Sequence, residues 1–129
     1  MSKIRAKDTK PELAVRSLLH RLGFRFRIHV RRLPGCPDIV LPKLRTVVLV
    51  NGCFWHRHKN CKFAYSPKSR QIFWEDKFKA NVLRDRQRQR DLRRLGWTVR
   101  VVWECQVREV ANLDKLVRRM FPAGPVRGN

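Results

Sequence analysis

The chain is predicted to fold as an α/β domain, a mixed sheet with helices on its faces, in the order α-β-β-β-α-β-α. Three observations carry this: a capped amphipathic stretch at the start, a switch from helical to two-residue periodicity after it, and a continuous apolar run at residues 46–50. With 129 residues there is material for one core and not two. Residues 1–121 are therefore expected to be a single domain, and the Pro/Gly-containing residues 122–129 a disordered tail.

The first helix starts at a T-x-x-E capping box, Thr9 and Glu12, with Pro11 in its first turn. Val15, Leu18, Leu19 and Leu22 follow on one face, and Gly23 closes it. In "FRFRIHV", residues 24–30, Phe24, Phe26, Ile28 and Val30 alternate with Arg25, Arg27 and His29, the pattern of a half-buried strand. The turn "LPGCP" leads to a short strand, "DIVL" at 38–41, and "PKLR" turns the chain into "TVVLV", suited to the centre of a sheet. A helical region spans about 69–95, in one or two pieces, with Ile72, Phe73, Phe78, Val82, Leu83, Leu92 and Leu95 as its apolar side. Gly96 ends it, "WTVRVVW" supplies a fourth strand, and a last helix covers about 109–121.

Charge restricts the partners. Lys+Arg 31 against Asp+Glu 10 gives +21, which favours a polyanion, nucleic acid before an anionic membrane surface. A membrane-surface role is disfavoured because no basic amphipathic helix stands apart from the core. No apolar run reaches the roughly 18 residues of a membrane span, and "MSKIRAKDTKPE" has no signal-peptide core. A cytoplasmic setting is expected, where clustered cysteines bind metal more often than they form disulfides.

Such a cluster follows the apolar run, in "NGCFWHRHKNC", residues 51–61. Cys53, His58 and Cys61 have the spacing of soft ligands to one ion, and a tetrahedral structural zinc site needs a fourth. Cys105, at the end of the fourth strand, is preferred over Cys36, which lies in a turn; the bland alternative is that these cysteines are small buried hydrophobes. His56 is left over, as a general base or as a surface histidine on phosphate.

Carboxylates are scarce: the first 74 residues hold Asp8, Glu12 and Asp38. Asp38, opening a strand after Pro37, could hold Mg2+; the alternative is that Asp38 only finishes a turn and Glu12 only completes its cap. A restriction-type nuclease places an acid and a lysine on the next strand, and "RTVVLVNG" has neither. His56 could replace that pair by deprotonating water while Asp38 holds the metal. Phe54 and Trp55, adjacent in the metal-like loop, could wedge into a base stack, whereas Phe73 and Trp103 are expected to pack in the core. Arg84, Arg86, Arg88, Arg90, Arg93 and Arg94 outnumber the acids near them, so about half are expected on phosphate and the rest in a solvated face.

"LPGCPDIVLP", "NGCFWHRHKNC", "FWEDKFKANVLRDRQRQRDLRRLGW" and "VVWEC" together resemble the very-short-patch-repair (Vsr) DNA mismatch endonucleases, over about residues 1–107. The resemblance implies a restriction-endonuclease-like fold with a structural zinc. It also implies a Mg2+-dependent nick on the 5′ side of the thymine in a T:G mismatch, the product of 5-methylcytosine deamination. Carried over by residue, Asp38 is the central Mg2+ ligand, joined by the backbone carbonyl of Val50, and Glu12 supports that metal shell. His56 is the base, Cys53, His58, Cys61 and Cys105 bind zinc, and Phe54, Trp55 and Trp74 form the wedge, with Arg84 and Arg86 on DNA. The implied partner is mismatched double-stranded DNA, met by a monomer in the bacterial cytoplasm, with repair proteins downstream. The family's upstream arm is absent from this sequence, which is expected to touch binding strength and selectivity more than chemistry; Asn51 and Cys36 stand at variable positions. Two other readings are a restriction-like nuclease indifferent to mismatches and a zinc-stapled DNA-binding module without catalysis.

Overall fold

The computed structural model describes residues 9–125. Its elements are α1 (Lys10–Arg21), β1 (Ile39–Leu41), a 3-10 turn (Pro42–Leu44), β2 (Thr46–Asn51), α2 (Gln71–Arg94), β3 (Thr98–Trp103), α3 (Glu104–Val107) and α4 (Val110–Met120). The first eight residues and the last four of the expected tail lie outside the described residues.

Thr9 caps α1 as its sequence predicts, its hydroxyl accepting the Glu12 N–H at 3.4 Å. The strand expected at 24–30 is not one. Only a single bridge forms there, Arg27 N–H to Val40 O at 2.7 Å and Val40 N–H to Arg27 O at 2.8 Å. His29 at φ 56° turns the chain out of the extended conformation, so the ladder cannot continue. Phe24 is still buried, against Phe121 at 5.0 Å between ring centres, but Ile28 is exposed. Alternation here reflects separate anchor points, Phe24 and Phe26 on one face of the sheet and Val30 on the other, not a paired strand.

The sheet has three strands in the order β1-β2-β3. β1 runs antiparallel to β2, and β2 parallel to β3 from Thr46↔Thr98 to Asn51↔Trp103. A parallel neighbour requires a crossover, which α2 provides. The apolar run of β2 serves both faces: Val48 packs with α1 and α4 residues Val15, Leu18, Leu19, Leu113 and Val117, while Val47 and Leu49 pack with Val40, Val99 and Leu92.

The long helical region is one continuous helix, and its expected apolar side is only partly inside, with Phe78 and Val82 half-buried. Within α2 only Leu92 is buried; Ile72, Leu83 and Leu95 are exposed, and so is Phe73, for which core packing was expected. The helix meets the sheet near its C-terminal end, and its N-terminal half stands over the loop that follows β2, where Asn81 Nδ2 donates to Trp55 O at 3.3 Å. Gly96, at φ 91°, takes the left-handed position that stops α2 and starts β3. Among the described residues no helix is long and apolar enough to cross a membrane.

Truncating Leu92 to alanine should cost about 3 kcal/mol of unfolding free energy. Leu83→Ala, on the same helix in solvent, should stay within about 0.5 kcal/mol. Urea denaturation of the two variants checks this, and similar losses would mean α2 packs on a different face.

Candidate active site and metal cluster

Because β2 and β3 are parallel, their C-terminal ends emerge side by side, and Cys53 and Cys105 follow those ends directly. The ligand atoms of Cys53, His58, Cys61 and Cys105 all lie within 4.8 Å of one another, a set that could hold a metal ion. His58 Nδ1 is 3.6 Å from Cys53 Sγ and 3.4 Å from Cys105 Sγ. The Cys105 N–H donates to Cys53 Sγ at 3.4 Å, and the Cys53 N–H to Glu104 Oε1 at 3.3 Å. The His58 ring stacks on Trp103 at 4.2 Å, so Trp103 buttresses a ligand instead of filling the core. Burial pushes the Cys53 thiol up to about 12, raises Cys105 and lowers His58. Without metal the Cys53 and Cys105 thiols stay protonated, whereas at Cys61 burial is outweighed by hydrogen bonds, the backbone of Phe63 first, that lower the thiol; a cation would draw the remaining protons off. Cys36 is exposed and outside the cluster.

The turns between ligands are tight. His58 N–H donates to Cys53 O at 3.1 Å, and Arg57 and Asn60 both sit at φ 54°. Arg57 stitches the loop together: its guanidinium donates to the carbonyls of Phe54 (3.2 Å), Ala64 (2.9 Å) and Tyr65 (3.1 Å) and lies 4.0 Å over the Phe78 ring.

His56 leaves the cluster and turns to α2, where its Nδ1 meets Asp85 Oδ2. Sequence reasoning missed Asp85. The available signal was a lone acid in the arginine run 84–90, and only helix geometry reveals that it faces the loop and not solvent. An Nδ1–H given to Asp85 leaves Nε2 with its lone pair, the arrangement of a histidine set up as a base.

Asp38 enters from the start of β1, its Oδ2 accepting the Val50 N–H at 2.7 Å. Burial lifts its carboxyl from 3.8 to about 6; the Val50 hydrogen bond opposes this, the negative charge of Glu12 adds to it, and Arg88 and His56 pull it down. Glu12, 2% exposed, is thus more than a cap; it holds Arg16 Nη2 at 3.1 Å and bears on Asp38 across the site. In an extended residue the N–H and C=O project to the same side, so the Val50 carbonyl shares the edge on which Asp38 sits.

Phe54, Trp55 and Trp74 are brought together. Phe54 lies 5.0 Å from Trp55, 5.6 Å from Trp74, 5.1 Å from Phe78 and 5.0 Å from Tyr65. All three are half-buried, and Tyr65 and Phe73 extend the patch into solvent. Arg84 and Arg86 are exposed and, at about 100° per residue, project from different flanks of α2.

Comparison with known proteins identifies the family. Residues 1–62 match the family described as DNA mismatch endonuclease Vsr. The chain is 47% identical over 121 residues to the type II nicking enzyme V.XorIIP of Xanthomonas oryzae pv. oryzae, covering 94% of this chain and 88% of that enzyme. It is 44% identical over 127 residues to the type II nicking enzyme V.NmeAIP of Neisseria meningitidis, covering 95% and 90%. With the DNA mismatch endonuclease Vsr of Escherichia coli it shares 43% over 108 residues, 84% of this chain and 69% of the other. An α/β domain of restriction-endonuclease-like class, with a Cys3His cluster at the ends of two parallel strands and this degree of identity over most of its length, belongs to the Vsr family and is a DNA endonuclease.

Proposed function

We propose that the protein nicks one strand of double-stranded DNA on the 5′ side of the thymine in a T:G mismatch. The observation that carries this reading is the His56–Asp85 pair beside Asp38, on a loop that also presents Phe54 and Trp55. Asp85 holds the imidazole by Nδ1, and Nε2 takes a proton from water. The water oxygen bonds to phosphorus, the P–O3′ bond breaks, and O3′ takes up a proton, leaving a 3′-hydroxyl and a 5′-phosphate. Asp38 and the Val50 carbonyl would hold Mg2+, with Glu12 supporting through water; two carboxylates bearing on each other in a buried place suit a divalent cation. When bound, that ion supplies positive charge against the phosphorane and the leaving oxygen. Phe54, Trp55 and Trp74 would enter the base stack, and Arg84 and Arg86 would meet phosphates of the duplex. A single nick needs one active site, so a monomer suffices, acting in the bacterial cytoplasm ahead of repair proteins.

The cluster we assign to zinc. A tetrahedron with Zn–S of about 2.3 Å and Zn–N of about 2.05 Å has an S···N edge of about 3.6 Å. The contacts from His58 Nδ1 to Cys53 and Cys105, at 3.6 Å and 3.4 Å, have that length.

Strand-resolved nicking of end-labelled duplexes carrying T:G, C:G or T:A tests the reading. One Mg2+-dependent nick beside the thymine of T:G is expected, abolished by EDTA. His56→Ala and Asp85→Asn should each slow it by about 10²–10⁴-fold, and Trp55→Ala should level the T:G and T:A rates. Nicking that ignores the mismatch would move the reading to a restriction-like nuclease, and tight binding without cleavage to a non-catalytic module.

Dialysed protein should retain one zinc per chain. Cys61→Ser and His58→Ala should lose it and melt earlier, while His56→Ala keeps both metal and melting temperature. Unchanged zinc and melting temperature in Cys61→Ser would remove the clamp assignment.

Asp38 adds a pH dependence in Mg2+-free protein. Its folded pKa, about 6, lies above the ordinary 3.8, so the native state binds the proton more tightly. Stability should therefore fall as pH rises from about 4 to 6, with a slope of at most about 1.4 kcal/mol per pH unit. Asp38→Asn should lack this slope, and Mg2+ should flatten it. A wild-type stability that rises relative to Asp38→Asn over the window would mean the carboxylate is favoured when charged.

A further inference from the structure

β2 reads "TVVLVN" and offers no lysine, so the cation that restriction-type nucleases place beside the reacting phosphate has to come from another element. Attack by water builds negative charge on the non-bridging phosphate oxygens, among Asp38, Glu12 and Asp85, which all repel it. A guanidinium faces this place. Arg88 lies one helical turn beyond Asp85, with its side chain 20% exposed and its charge bearing on Asp38. Its contacts are long and incomplete: Nη2 stands 3.7 Å from Asp85 Oδ1, and Nη1 donates to Gly35 O at 3.4 Å. Its Nε is enclosed and has no hydrogen-bond partner among the described residues. Of the other cations nearby, Arg16 is held by Glu12, and Arg57 is committed to three carbonyls.

The loop before Asp38 is shaped to admit this side chain. Gly35 sits at φ 71°, and a Cβ added there would lie 1.7 Å from Arg88 Cδ. Any residue with a side chain would be strained and would displace the arginine. A partly exposed guanidinium whose Nη contacts are both long, between a carboxylate that orients the base and a carboxylate at the metal edge, has donors to spare for substrate.

We propose that Arg88 is a catalytic residue: its guanidinium donates to a non-bridging oxygen of the scissile phosphate, supplying the charge that the missing strand lysine would give. Beside this contact it keeps Asp85 turned toward His56. The inference rests on phosphodiester hydrolysis at this site but not on mismatch recognition, so it is tested on whichever duplex the wild type nicks.

The experiment is single-turnover nicking by wild type, Arg88→Met and Arg88→Lys. Each is given an all-oxygen linkage and each of the two phosphorothioate diastereomers at the scissile position. Arg88→Met should slow the all-oxygen reaction about 100-fold, with a far smaller change in DNA affinity and no change in zinc content. Sulfur at the contacted oxygen should slow wild type but add little in Arg88→Met, while the effect of the other diastereomer stays as in wild type. Arg88→Lys should recover part of the rate. Wild-type rates in Arg88→Met would overturn the proposal. So would a slowing that leaves both diastereomer effects unchanged, since Arg88 would then be a tether between α2 and the Gly35 turn. Should Arg88→Met melt early, Arg88→Lys and Arg88→Gln carry the same diastereomer comparison. Loss of mismatch preference in wild type would sink the mismatch reading and leave this test standing.

Discussion

The parallel pairing of β2 with β3 is the constraint on which the site depends. Antiparallel strands would send Cys53 and Cys105 to opposite ends of the sheet. Parallel ones, in register up to Asn51↔Trp103, deliver both to the same end. The loop after β2 thereby brings Cys53, His58 and Cys61 against a residue of the chain that follows β3. His56 and Phe54, between them, are oriented by contacts with α2, at Asp85 for the one and at Trp74 and Phe78 for the other. Arg57 locks the loop as well, since its three carbonyl partners, at Phe54, Ala64 and Tyr65, lie on both sides of His58 and Cys61.

Electrostatics account for the rest of the geometry. A chain with charge +21 favours a polyanion, and around Asp38 the charge of Glu12 is set against those of Arg88 and His56. Burial and the charge of Glu12 both raise the cost of ionising Asp38, which a cation relieves. Asp85 is committed to His56 and leans on Arg88. The paired carboxylates of Asp38 and Glu12 are unfavourable for phosphate until positive charge lies between them and it.

Much of this is legible in the sequence where a local rule applies. The Thr9 cap, the central strand and the Cys53–His58–Cys61 cluster each follow from spacing within a few residues, and the place of Cys105 follows once the strand order is known. Sequence patterns mislead where tertiary contacts override them. "FRFRIHV" alternates correctly, but His29 at φ 56° ends its extension. Ile72, Leu83 and Leu95 look like one side of a buried helix, although α2 reaches the sheet only around Leu92. Asp85 and Arg88 look like part of a charged surface, because no local rule distinguishes a solvated Asp–Arg pair from one that faces an active site.

The stripe that α2 does turn inward explains why periodicity misses it. Trp74, Phe78, Asn81, Asp85, Arg88 and Leu92 recur at alternating spacings of four and three, which keeps them on one side of a helix. Hydrophobicity marks only the two ends of this stripe, so a search for an apolar face finds no continuous one. Contacts instead change with position: ring packing on Phe54 from Trp74 and Phe78, a hydrogen bond to Trp55 O from Asn81, the imidazole of His56 at Asp85, the Gly35 turn at Arg88 and the core at Leu92. One rigid helix therefore fixes the distance between the aromatic patch and the imidazole that sits beside Asp38. A rotation of α2 that repacked Leu92 would move Asp85 off His56 and Trp74 off Phe54 together. Core packing at one end of the helix and the His56–Asp85 contact at its middle are the same structural requirement.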